Sequence, residues 1–128
     1  MTDELEIVRT ILKSARTASV TTQTASGALH SRPLAVLDDD FAGTLWFFTA
    51  DPSSKTADLA AHPQVNVSVG DGKGWLSLSG VATISRDEER IDRYWNPWAA
   101  AYFEGGRDDP TVALLQVDVS SIHYWDLD

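Results

Sequence analysis

Residues 31–59, SRPLAVLDDDFAGTLWFFTADPSSKTADL, read as two strands joined by a turn and followed by a helix. Leu34 to Leu37 forms a short apolar strand. Asp38-Asp39-Asp40 leads into a turn ending near Gly43, and Thr44 to Phe48 returns as an aromatic strand. Asp51 suits the N-cap of a helix running from Pro52 to Ala61, with Pro52 at the first helical position, where its missing N–H costs nothing. A helix start of this kind leaves amide N–H groups without intrahelical partners, and these favour an anion. Ser53, Ser54 and Lys55 fall in the first turn, while Arg32 on the preceding hairpin offers a rigid fork of donors that matches phosphate. The same residues also fit an ordinary capped helix with solvated surface charges, so a structural reading stands beside the phosphate reading.

Working outward, Thr2 is placed to cap a helix reaching Ala15, with Leu5, Val8, Leu12 and Ala15 on one face. Ala18 to Thr24 reads as a strand and Ala25-Ser26-Gly27 as a turn. Beyond the central helix, which His62-Pro63 stops, Val65, Val67 and Val69 alternate with polar residues. Trp75 to Ile84 predicts a longer strand, with Leu76, Leu78, Ala82 and Ile84 on one side, Trp75, Ser77, Ser79, Val81 and Thr83 on the other, and a bend or bulge at Gly80. Ser85-Arg86-Asp87-Glu88 fits a capping box for a helix to about Trp95. Asn96-Pro97 ends it, a short helix from Trp98 to Phe103 follows, and two last strands cover Val112 to Val117 and Val119 or Ile122 to Tyr124. Six or seven antiparallel strands with three or four helices in so short a chain suggest a small barrel, because closure removes edges that an open sheet would expose. No Gly-x-Gly-x-x-Gly fingerprint supports a doubly wound alternative.

The chain has 128 residues, enough for one domain with a sizeable core. It has no cysteine, which excludes disulfides, iron–sulfur ligation and thiolate catalysis. Its 19 acidic and 10 basic side chains give a formal charge of -9, a balance that repels nucleic acid and anionic membranes but leaves room for a small anionic ligand held by its nearest groups. The acidic start and the lack of an apolar run near ~20 residues make the cytoplasm the expected location. His30, His62 and His123 are spaced unlike any metal-ligand motif, and no Gly-x-Ser-x-Gly elbow is present. Five tryptophans chiefly suit core or subunit packing, with Trp98, Tyr102 and Phe103 the better candidates for the mouth of a pocket.

Taken together, His30-Ser31-Arg32-Pro33, Leu45-Trp46-Phe47-Phe48-Thr49, Ser54-Lys55, His62-Pro63-Gln64-Val65, Leu78-Ser79-Gly80, Trp95-Asn96-Pro97, Gly106-Arg107-Asp108-Asp109-Pro110 and Tyr124-Trp125-Asp126 resemble the pyridoxamine-phosphate-oxidase-like flavin-binding split barrels, and more closely their general stress protein branch. These segments cover nearly the whole chain in the family's order. The resemblance implies an α+β fold, mainly β with flanking helices, built on a six- to seven-stranded split barrel. It implies a homodimer holding FMN, or FAD, in clefts at the subunit interface. Carried over by position, Arg32 and Lys55 look like phosphate ligands assisted by Ser53 and Ser54, with Ser31 and Pro33 among the cofactor-binding positions. Phe48 and Thr49 fall against the isoalloxazine and ribityl portions, Trp75 and Ser77 near the ring edge, and Trp98 at the pocket mouth.

The vitamin-B6 oxidases of that family carry a second arginine where this chain has Ser54, and a C-terminal Trp and Arg-x-His region that has no match after Trp125. Both departures argue against pyridoxamine phosphate oxidation, since a shared fold does not fix function. The expectations are therefore a flavin oxidoreductase drawing on NAD(P)H and serving an unidentified acceptor, or a non-catalytic protein that binds or sequesters flavin. A deazaflavin or haem user is the further alternative.

Overall fold

The structure is a computed structural model in which residues 4–37 and 40–127 are described. Thr2, the expected cap of the first helix, and Asp38-Asp39 of the expected turn lie outside the described residues. Helix α1 (Glu4–Ser14) leads into strands β1 (Thr17–Gln23), β2 (Leu29–Ala35) and β3 (Thr44–Ala50). Helix α2 (Ser54–Ala61), strands β4 (Gln64–Gly70) and β5 (Gly74–Ser85), helices α3 (Glu88–Tyr94) and α4 (Pro97–Tyr102), a 3-10 turn (Gly106–Asp108) and strand β6 (Val112–Asp126) complete the order.

All strand pairings are antiparallel, in the order β2-β1-β4-β5-β6-β3. The two edge strands, β2 and β3, lie near one another without pairing, so the curled sheet is a split barrel with its seam between them. Alternation sets its interior. Ala18 and Val20 of β1, Leu45 and Phe47 of β3, Val65, Val67 and Val69 of β4, Leu76 and Leu78 of β5, and Leu115 and Val117 of β6 are all buried in one cluster. Val8, Ile11 and Leu12 of α1 join it, as the 3.6-residue period requires. A second cluster forms where α3 and α4 cover the other face of β3 and β6, through Ile91, Tyr94, Ala99, Phe103, Val112 and Leu114. Each large apolar side chain so buried contributes on the order of 2 kcal/mol. Among the described residues no helix is long and apolar enough to cross a membrane.

Four elements differ from the sequence expectation. β2 begins at Leu29, not Leu34, because pairing to β1 from Thr17↔Ala35 to Gln23↔Leu29 makes the strand, and an edge with little burial shows no apolar alternation. Helix α2 begins at Ser54, not Pro52. The Ser53 and Thr56 side chains each accept from the other's backbone N–H in a capping box, and Asp51 is engaged elsewhere. The Ser85–Glu88 box does not form: Ser85 closes β5, and α3 starts at Glu88 after an N-cap at Asp87. Finally, β6 is one 15-residue strand and not two. It stays continuous because a bulge opposite Ser79/Gly80 skips Ser120, and at Gly80 a Cβ would lie 2.1 Å from the Asp118 carbonyl oxygen.

Candidate functional site

A cavity of about 450 Å3 lies on the seam. Pro33, Leu34 and Ala35 of β2 form one wall, Phe48 of β3 another, Lys55 sits at the start of α2, and Asn96 with Trp98, Ala99, Ala101, Tyr102 and Phe103 closes the α4 side. Two edge strands that do not pair with one another make room for it, and Pro33 costs no ladder bond on such an edge.

Lys55 is the cation in its lining, and Arg32 stands beside it. Arg32 stands opposite Val20 in the β1–β2 register, so it shares the inner face, where its Nη1 donates to Thr22 Oγ1 at 2.9 Å. Lys55 is largely shielded from solvent. That burial, and then the repulsion of the Arg32 guanidinium, bring its ammonium down from the ordinary 10.5 to about 8. Neither Arg32 nor Lys55 has a carboxylate partner among the described residues, whereas Lys13, Arg86, Arg90 and Arg107 do. Two unneutralised cations, one of them desolvated, leave a local positive field inside a chain of charge -9.

The helix that delivers Lys55 is fixed from behind. Arg86, at the end of β5, donates through Nη2 to the Asp51 carbonyl oxygen at 2.8 Å and to its Oδ2 at 2.7 Å, and through Nη1 to the Pro110 carbonyl at 2.9 Å. This ties the β3–α2 connection to the start of β6. The Asp51 carboxyl is held below the usual carboxylate range by hydrogen bonds from Thr56 and Arg86.

The other wall is aromatic. Phe48 meets Trp95 edge-on at 5.7 Å and Phe103 at 6.3 Å, while Trp95 and Phe103 stack at 5.9 Å. Asn96 caps α4 by accepting from the Ala99 N–H at 2.8 Å, which sets Trp98 and Tyr102 on one helix face at the rim, 82% and 68% exposed. Such a donor set and such walls suit a planar ring system bearing a phosphate group.

Of the residues singled out in the sequence, Pro33, Phe48, Lys55 and Trp98 line this cavity and Arg32 stands beside Lys55. Ser53 is occupied by its capping box and Ser54 is exposed on the first turn. Thr49 points the other way from Phe48, into the barrel, where its Oγ1 is buried without a hydrogen-bond partner. Trp75 lines a separate depression on the outer sheet face with Ser31, Pro33 and Ser68. Its indole donates to Ser68 Oγ at 2.9 Å, and Ser31 Oγ pairs with Thr21 Oγ1 at 2.6 Å. Ser77 accepts from Asn66 Nδ2 at 2.8 Å on that same outer face. Within one chain, then, Ser31, Arg32, Thr49, Ser53, Ser54, Trp75 and Ser77 are not among the residues that line the cavity. Sequence reasoning missed Asn96 as a cap and Arg86 as a clamp. The first was visible in Asn96-Pro97-Trp98, while the second depends on a fold-level approach of β5 to the β3–α2 connection.

The sequence matches the family described as pyridoxamine 5'-phosphate oxidase like over residues 3–128. The chain belongs to that family. Among solved structures of similar fold, the general stress FMN/FAD binding protein of Xanthomonas citri is 32% identical, with a TM-score of 0.84 over 97% of this chain and 89% of that one. A general stress family protein from Xanthomonas campestris is 30% identical, with a TM-score of 0.81 over 100% and 92% of the two chains. Protein bli-3 of Neurospora crassa is 32% identical over 81% of this chain, which spans 55% of that longer protein. Both Xanthomonas proteins are described as general stress proteins.

Proposed function

We propose that the protein binds FMN in the seam cavity, with FAD the variant ligand, and acts as a flavin oxidoreductase of the general stress type. One observation carries this: Lys55 lines an aromatic cavity at a helix start with Arg32 beside it, and neither cation has a carboxylate partner among the described residues. The general stress FMN/FAD binding protein of Xanthomonas citri supports it by likeness of sequence and fold. Arg32 and Lys55 would hold the phosphate oxygens, the first-turn amides of α2 would add donors, and Phe48 and Phe103 would face the ring. A bound flavin supplies hydride and electron transfer, and NAD(P)H is the donor we propose. The protein's own part is to fix the ring, exclude water with the aromatic wall and neutralise the phosphate.

We further propose a homodimer. Trp75 and Trp125 stand opposite one another on the outer sheet face, 42% and 51% exposed, beside the depression that Ser31 and Pro33 line. A second copy seated there would supply Trp75 and Ser77 across the interface, which their position in a single chain does not allow.

A non-catalytic flavin-binding role has one observation in its favour: among the described residues the cavity lining holds no carboxylate and no histidine, and its ionisable side chains are Lys55 and Tyr102. The test runs in two steps. Protein purified from its host should be yellow, and denaturation should release FMN, identified by mass. Anaerobic NADH or NADPH should then bleach the flavin band. A yellow protein that neither donor bleaches is a binder, and a protein that releases no flavin ends the proposal.

A further inference from the structure

Resting on the reading of the cavity as a phosphate site, we propose that Lys55 is a proton-coupled anion ligand: entry of a phosphate monoester draws one proton from solvent onto Lys55 Nζ. The geometry gives the reason. Lys55 lies in a cavity walled by Leu34, Ala35, Phe48 and Phe103, Arg32 stands beside it next to the Pro33 wall, and among the described residues no carboxylate forms an ion pair with either cation. Of the two, arginine does not release its proton, so the repulsion between them is relieved at the lysine.

The surroundings leave few other groups to take that part. Strands β1 and β5, on which α2 packs, carry no ionisable side chain, and neither does β3. From β2 come Arg32 and, two residues away on the same face, His30. From α4 comes Tyr102. On its own helix Lys55 has Asp58 one turn on, and Asp51 before the helix is engaged by Arg86. The lowering of Lys55 to about 8 by burial and by Arg32 agrees with this arrangement. A phosphate dianion placed between the two cations reverses both effects, since it favours the charged lysine and screens it from the guanidinium. The monoester itself is already dianionic there, its second ionisation lying near 6.

Binding is therefore coupled to pH at the site itself. With Lys55 half protonated in the empty protein, FMN should take up about half a proton at pH 8, rising toward one as pH increases. Its affinity should fall with a slope approaching about tenfold per pH unit above pH 9. Riboflavin, which has no phosphate, should show neither effect.

Isothermal titration of the full chain at pH 8, in two buffers of different protonation enthalpy, measures the uptake directly, with FMN and riboflavin as the probes. Lys55→Arg keeps the charge but removes the titration, so it should bind FMN with no uptake and a flat pH profile from 7.5 to 9. FMN binding to the wild type with identical heats in both buffers overturns the proposal and leaves the cofactor reading standing. The same uptake in Lys55→Arg, or with riboflavin, places the proton on another group and also overturns it. Absence of FMN binding removes the cofactor reading together with this one.

Discussion

At Lys55, burial and the field of Arg32 both favour the neutral amine, which has a consequence for stability as well as for binding. The folded value is lowered and the unfolded value is the ordinary 10.5, so below pH 8 the folded chain carries a charge that it holds less well than the unfolded chain does. Between pH 8 and 10.5 the unfolded chain binds more protons, and stability rises with pH as that cost disappears. Lys55→Met should therefore stabilise the empty protein at pH 7 by about 1 kcal/mol, with the gain fading toward pH 10.5. Thermal melts of both proteins across that range check it, and a gain that grows with pH would contradict it. Thr49 offers a second single-residue test. Its buried hydroxyl lacks a partner, so Thr49→Val should be neutral or stabilising by about 1 kcal/mol in urea unfolding. A loss of more than about 1 kcal/mol would show that the hydroxyl is satisfied. At this scale the position of Lys55 in the first turn of α2 was legible, because a Ser-rich stretch after Asp-Pro is a helix-start pattern. Which serine caps the helix was not, since Asp51 is an equally good cap until Arg86 takes its carboxylate.

Helix α2 is short, eight residues, and depends on its ends. Ser53→Ala removes the capping box and should cost about 1 kcal/mol of stability while loosening the turn that carries Lys55. Denaturant unfolding reads the first effect, and a weaker hold on FMN than on riboflavin relative to wild type reads the second. An unchanged preference for FMN would show that the cap serves the fold alone. The strands β3, β4 and β5 were readable from alternation, since Leu45, Phe47, Val65, Val67, Leu76 and Leu78 all point into one buried cluster. The full length of β2 was hidden because His30, Ser31 and Arg32 carry no apolar signal on an edge. The unity of β6 was hidden because Ser120 and Ser121 look like a break, and only the bulge against Gly80 shows the strand continuing.

Across the whole molecule, the seam between β2 and β3 opens a cavity in an otherwise closed barrel, and sequence reached the barrel by counting strands without locating its opening. The sequence placed Trp75 and Ser77 on one side of β5 but did not show that Trp125, Asn66 and Ser68 gather with them on one outer surface. If a second copy covers it, light scattering should give twice the chain mass, and Trp125→Glu should shift the protein to monomer and weaken flavin binding together. A wild-type monomer would remove the shared-interface proposal. The central claim, that Arg32 and Lys55 converge on a phosphate at the seam, is tested most directly by titrating FMN and riboflavin in parallel into wild type, Arg32→Ala and Lys55→Ala. The account predicts that wild type prefers FMN and that each substitution costs FMN alone about 1.5 to 3 kcal/mol, roughly ten- to a hundredfold. Equal losses for the two ligands, or no preference for FMN in the wild type, would contradict it.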